Sequence, residues 1–353
     1  MLNRYLALAI NEFRSLFTIS PNRRPVGLAI SSALSLGLPL FIGQYFGHPN
    51  YGLVSSLGGL IFLYLPGTHL IHRMISMLCI TSLISGCFFF GLIAYHFPLL
   101  HIPVAFSMTM LVGILCRFFN VPPPRIMFFL MAAMIGMYLP HPVEAIPLLT
   151  GLLFLGALNA CLIAFVYSLF RLWKGDTVQP PPEMDKDIHG VVVSALIIAA
   201  FTAGALTLAE ILQLDRPYWV PISCIAIIQG LDFRTAWTRQ LHRIIGTTLG
   251  LGLTWLLLLL PINGWWVCLL LTCLSFITEL LVVRHYAAAV IFITPLTIFL
   301  AEVGARTHLD PSALMASRFI DTVYGCLFGL AGAWFLYQSG KQEKWTQWLK
   351  KRF

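Results

Sequence analysis

Few charged side chains interrupt the long apolar runs of this chain, and those that do are of types suited to proton or anion chemistry. Asp321 lies about two turns into the last run, in SRFIDTVYG, with Arg318 three residues before it. At that spacing the two can pair on one helix face. Glu279, in SFITELLVVRH, lies about one turn from the end of its run, within reach of Arg284, Arg239 or Arg243. A charge held inside a bilayer costs at least about 2.5 kcal/mol. Asp321 and Glu279 are therefore either proton- or substrate-handling groups, with Arg318 as a third member, or halves of structural ion pairs.

A second set of residues lies in RPYWVPISCIAIIQGLDFRTAWTRQLHRIIGTTLG, from Arg216 to Gly250. Arg216, Tyr218 and Trp219 form a charged, aromatic shoulder before a run of about a dozen apolar residues interrupted by Pro221. Gln229 ends that run, and Arg239 and Arg243 follow at i, i+4 on one helix face. So short a run, below the ~17–25 residues of an ordinary spanning helix, is a candidate broken helix at a transport site. Thr294-Pro295 stands in the middle of another short run, YAAAVIFITPLTIFLAE. Proline there frees a carbonyl one turn earlier, which in lipid needs a partner, and Thr294 or Thr297 can supply one. Arg216 either attracts an anion at the outer mouth or pairs with Asp215 or Glu210. Arg239 and Arg243 either line an inner anion vestibule or simply mark the cytoplasmic side. Tyr218, Trp219 and Tyr286 are interface anchors or a stacking surface for an aromatic ligand. His48, His96, His101, His141 and His308 show no ligand spacing and receive no role.

The composition says where such residues must sit. The chain is 58% hydrophobic and 10% charged, with a net charge of +8. Soluble domains carry about 25% charged residues, so this is an all-α polytopic membrane protein. The basic residues are spread over short loops, which speaks for topology rather than nucleic acid. All eight cysteines fall within apolar runs without metal-ligand spacing, and neither a metal nor a disulfide framework is expected. No phosphate-binding GxxxxGKS/T loop or nucleophile–base arrangement occurs, so no enzyme is read here, and transport would run on an ion gradient or passively.

Apolar runs near 26–46, 50–65, 74–96, 99–119, 126–140 and 145–170, then 190–212, 217–231, 241–261, 264–283, 285–302 and 313–337, predict about 12 transmembrane helices. With the N-terminus inside, 19 of the 22 Lys and Arg residues fall on the cytoplasmic side, and Arg216, Arg306 and Arg318 on the other. Both termini are thus expected in the cytoplasm. Residues 1–25 and 338–353 read as amphipathic or basic segments lying on the membrane surface. Residues 172–189 read as a solvated Pro-rich linker between two six-helix repeats, 26–171 and 190–337. His72-Arg73 in LIHRMIS matches His242-Arg243 in QLHRIIG. The short spans fall at matching places, second and fifth, eighth and eleventh. An even number of spans per repeat gives both the same orientation.

The stretches RPYWVPISCIAIIQG, HRIIGTTLG, YAAAVIFITPLTIFL and SRFIDTVYGCLFG, in that order, resemble the fusaric-acid-resistance-like family, also called the aromatic acid exporter family. The resemblance is strongest over 205–337 and faint over 40–170. It implies a bacterial inner-membrane efflux protein for aromatic carboxylic acids or similar hydrophobic anions, proton-driven, working with a periplasmic adaptor protein in many bacterial members. A large cytoplasmic domain found in many relatives has no counterpart here. The positions carried over are Tyr218, Trp219, Arg239, Arg243, Thr294, Pro295, Arg318 and Asp321. Expected partners are a small organic anion and membrane lipid, with a homo-oligomer also open; no cofactor is implied. A passive anion channel, a siderophore or metabolite exporter, and a non-transporting scaffold stay open as alternatives.

Overall fold

Apolar runs bounded by glycine, proline and capping residues become twelve α-helices in the computed structural model, which describes residues 20–21, 24–175, 178–230, 232–260, 263–302 and 311–337. They are α1 Val26–Tyr45, α2 Pro49–Gly59, α3 Leu70–Tyr95, α4 His101–Phe118, α5 Met127–Tyr138 and α6 Ile146–Trp173. After the linker come α7 Ile188–Ile211, α8 Trp219–Ile228, α9 Phe233–Leu258, α10 Gly264–Leu281, α11 Tyr286–Glu302 and α12 Pro311–Tyr337. Among the described residues there is no strand. The expected surface segments at either end, with Arg306 and His308, lie outside the described residues, apart from Ser20, Pro21, Arg24 and Pro25.

Eight helices are long and apolar enough to cross a membrane. The four others are the second, fifth, eighth and eleventh, the positions expected to be short. The structure departs most from the sequence reading at the start of α9 and at Pro221. The chain is already helical at Phe233, a little over two turns before the expected apolar start at 241, because the Asp232 carboxylate accepts the Thr235 N–H at 2.6 Å and caps α9. Pro221 does not break α8. It lies in the first turn, where a helix N–H has no intrahelical partner to lose.

The packing repeats with a shift of six helices. α3 packs on α5 as α9 packs on α11, α2 on α6 as α8 on α12, α3 on α6 as α9 on α12, and α4 on α7 as α10 on α1. Small residues make the close approaches. A Cβ at Gly156 would overlap the Ser55 carbonyl of α2, and one at Gly329 would lie 2.6 Å from the Cys224 carbonyl of α8. In the other repeated pair, a Cβ at Gly136 would lie 2.8 Å from the Phe88 carbonyl, and one at Gly246 2.7 Å from the Ala287 carbonyl. Small residues at such contacts let helix backbones approach where lipid supplies no hydrophobic drive.

The two helices with an interior proline use the same device. Pro39 frees the Ser35 carbonyl of α1, which faces Gly59 and accepts from Asn159 Nδ2 at 3.3 Å. Pro295 frees the Ile291 carbonyl of α11, which faces Gly250, where a Cβ would lie 2.8 Å away. The Thr294 hydroxyl bonds the Val290 carbonyl at 2.9 Å and the Thr297 hydroxyl the Thr294 carbonyl at 3.1 Å. The freed Ile291 carbonyl therefore packs against a neighbouring helix.

These contacts predict a sharp contrast among helical glycines. Gly156→Val and Gly329→Val should each lower stability by about 1–3 kcal/mol or more through overpacking. Gly151→Ala, at a position with open space around it, should be neutral or stabilising by up to about 1 kcal/mol. Thermal unfolding of the purified protein in detergent measures all three.

Candidate functional site

The buried charges of the second half converge where α8, α9, α11 and α12 meet. Arg243 of α9 is 6% exposed; its Nη1 lies 3.3 Å from the Tyr286 hydroxyl and its Nη2 donates to the Ser223 hydroxyl at 3.2 Å. Arg318 of α12 is 4% exposed and donates to the Thr297 hydroxyl at 2.8 Å. Its guanidinium carbon stands 3.3 Å from the centroid of the Trp219 ring, a cation–π contact inside the protein. Asp321, wholly buried, lies one turn further along α12. Two donors in this cluster, Trp219 Nε1 and Arg243 Nε, are buried without a hydrogen-bond partner. Buried donors are nearly always answered, so these two mark a place where an acceptor would be favourable.

Each side chain reaches the cluster for a local reason. Trp219 opens α8, so its indole leaves the first turn toward α12. Gly325 and Gly329 let α12 lie directly against α8. Gly246 and Gly250 bring α9 against α11 and so carry Arg243 up to Tyr286. The Asp232 cap fixes where α9 begins and hence the rotation of Arg239 and Arg243 about its axis.

Other expected site residues lie elsewhere. Arg239 is half-buried, one turn nearer the start of α9, while Arg243 is inside. The shared face therefore spans two environments. Gln229 is occupied with structure: its Oε1 accepts the Ile126 N–H at 3.1 Å and its Nε2 donates to the Ile225 carbonyl at 3.2 Å. Thr294 is buried against Gly250, and Pro295 is buried beside it. Arg216 is half-buried. Glu279, 3% exposed, forms an ion pair with Arg24 at the start of α1, whereas the sequence placed it near Arg284, Arg239 or Arg243. α10 packs against α1, and that contact decides its partner. In the first half, Arg73 is buried as Arg243 is, held by the Ser168 hydroxyl at 2.9 Å and the Thr68 carbonyl at 2.8 Å.

One cluster escaped the sequence reading. Glu210, at the end of α7, has Oε1 2.7 Å from His101 Nδ1 and accepts the Tyr138 hydroxyl at 2.5 Å. The Tyr138 ring packs 5.7 Å from that of Tyr218, which packs 5.1 Å from Trp219, so a row of aromatic rings joins this knot to Arg318. His101 and Glu210 are more than 100 residues apart. The signal was faint: an acid at one span's end and a histidine at another's start.

The fold and the cluster together define an all-helical multi-pass membrane protein with cationic side chains packed inside it. Residues 202–332, the segment that supplies every member of the cluster, match the family model described as fusaric acid resistance protein-like. The resemblance drawn from the four sequence stretches is thus to that family. A similar curated protein is the uncharacterized membrane protein YvaC of Bacillus subtilis (strain 168), 28% identical over 141 residues, or 40% of this chain. The matched segment spans 22% of that relative's length. No solved structure matches the chain.

The Asp232 cap gives a pH test of the α9 anchor. Its carboxyl is held below the usual carboxylate range, first by the Thr235 hydroxyl and then by the Thr235 N–H. A lowered folded pKa contributes stability above the unfolded value, near pH 4, and loses it as pH falls through the folded value. Asp232→Ala should therefore lower the melting temperature at pH 7, and the gap to wild type should shrink below about pH 4. Melting curves of both proteins across that range read the difference.

Proposed function

We propose that the protein exports organic anions, aromatic carboxylates first among them, across a bacterial inner membrane in exchange for protons. The observation that carries this reading is the buried cluster of Arg243, Arg318 and Trp219. Two guanidinium groups, an indole face and two unanswered donors suit a carboxylate attached to a flat ring. The carboxylate would take the Arg243 Nε–H and the Trp219 N–H, and the ring would compete with Arg318 for the indole face. Asp321, wholly buried on the same helix as Arg318, is the acid best placed to hold the exchanged proton. Glu279 has a partner in Arg24 and serves structure in this scheme.

The chain would work as two six-helix units with both termini in the cytoplasm. The packing that repeats after six helices and the placement of the short helices support this arrangement. In this conformation Trp219 is 2% exposed and Ser223 0%. Loading therefore requires α8 and α12 to part from α9 and α11, and the cycle alternates between openings at the two ends.

Flux of labelled 4-hydroxybenzoate in proteoliposomes, with and without a pH gradient, tests the reading. Arg318→Lys and Arg243→Lys should each raise the half-saturating concentration roughly tenfold or more, the scale of a lost hydrogen bond to a charged group. Asp321→Asn should abolish the dependence on the pH gradient. Flux in that variant that still follows the gradient removes Asp321 from the scheme. Wild-type flux indifferent to the gradient would instead indicate a passive anion channel.

A further inference from the structure

The helices related by the six-helix shift meet at two seams, α4 against α7 and α1 against α10, and both seams join the first half to the second. Each is built alike. A small residue lets the helices close, with a Gly113 Cβ falling 3.2 Å from the Ala195 side chain at one seam and Gly37 directly against Thr272 at the other. Each seam ends in a clasp between a residue near the end of one helix and a residue just before the start of the other. At the first, Arg117 of α4 bonds the Ser194 hydroxyl and pairs with Asp185 at 3.6 Å. At the second, Glu279 of α10 pairs with Arg24. Main-chain bonds run beside both clasps, Asp185 N–H to the Phe118 carbonyl at 2.9 Å and Ser20 N–H to the Arg284 carbonyl at 2.8 Å.

The geometry repeats but the charges are exchanged. Arg117 corresponds to Glu279, and Asp185 to Arg24. The first half thus brings a base to both seams and the second half an acid to both. Lys186 and Arg284 also belong to the second half, but neither side chain enters a clasp among the described contacts.

We propose that this exchange of sign makes each half select the other over a second copy of itself. Within one chain, every clasp joins a base to an acid. A pair of first halves would set Arg24 against Arg117 at both seams, and a pair of second halves would set Glu279 against Asp185. Specificity is a difference between affinities, and a like-charge contact at a partly buried seam works against the wrong partner. The occupant of each half's seam surface is the other half of this chain, and the exchange disfavours dimers in which like halves of two chains pair with each other. This rests on the two-unit arrangement proposed above and not on the transported solute.

Full-length chains carrying two different tags, co-expressed and purified in detergent, test it without any flux measurement. Arg24→Glu and Glu279→Arg alone should each lower the melting temperature by a few degrees. The double variant R24E/E279R should regain most of that loss. In the double variant, however, each half carries one acid and one base, so two copies of a half become complementary. Its co-purification of the second tag should rise several-fold over wild type. Adding R117D/D185R makes the first half wholly acidic at the seams and the second wholly basic, and co-purification should return to the wild-type level. Should R24E/E279R not accumulate, R117D/D185R alone, at the more exposed clasp, carries the same expectation. Single variants as stable as wild type, a double variant no more associated than wild type, or a fourfold variant that stays associated would each overturn the proposal.

Discussion

A bilayer core contains no water to answer polar groups, so each main-chain group and each charge placed there must find its partner within the protein. That constraint organises what is seen here. Pro39 and Pro295 each free a carbonyl from its helix, and in both cases a glycine on the neighbouring helix allows close packing over it; Asn159 also donates to the one freed by Pro39. Arg73 and Arg243 occupy matching places in the two halves, and each is held by a serine hydroxyl from another helix. Glu210 is met from two sides by His101 and Tyr138. The exceptions to full satisfaction then become informative, because each has a free-energy cost that the fold must otherwise bear.

The two halves part company at their sixth and twelfth helices. α6 carries no charged residue from Ile146 through Phe170, whereas α12 carries Arg318 and Asp321 within its length. Opposite them, α8 supplies Trp219, while the matching part of α2 offers Tyr51 near its start, 38% exposed. The same scaffold thus holds one guanidinium in the first half, at Arg73, and two in the second, at Arg243 and at Arg318, which stacks on an indole. The pattern of helix contacts is nearly symmetric, and the chemistry is not. The solute-binding role proposed for the second half rests on that difference rather than on the fold.

Helix number and the places of the short helices were legible in the sequence because hydropathy alone decides which runs enter an apolar core. The start of α9 was not, because a capping carboxylate extends the helix through polar residues that a hydropathy reading excludes. Pro221 was misjudged for a related reason: its effect depends on its distance from the helix start, which the sequence did not fix. For the site, residue types were legible and partners were not. Arg318 and Asp321 were found by their intramembrane position. The stacking of Arg318 on Trp219 depends on how closely α8 and α12 approach, and that is set by Gly325 and Gly329, which local spacing does not reveal. Glu279 itself met Arg24 because α10 lies on α1, a contact spanning most of the chain.

The closed packing of the cluster also bears on how it would work. Trp219, Ser223, Arg243, Arg318 and Asp321 lie on three helices, and α8 is the shortest of them. α8, a ten-residue helix buried throughout, is held at one end by Gln229 on the α4–α5 connection, at the other by the Tyr138–Tyr218 stack, and along its length by α12. α12 is anchored in turn by Gly325 and Gly329 against α8 and by packing on α7 and α9. In the proposed cycle an opening must break the bonds of Arg318 to Thr297 and of Arg243 to Ser223, and it must do so without exposing both guanidinium groups to lipid. Moving α8 and α12 as one body against α9 and α11 keeps the glycine contacts intact. It opens the cluster between Arg243 and Trp219, where the carboxylate of the proposed solute would sit.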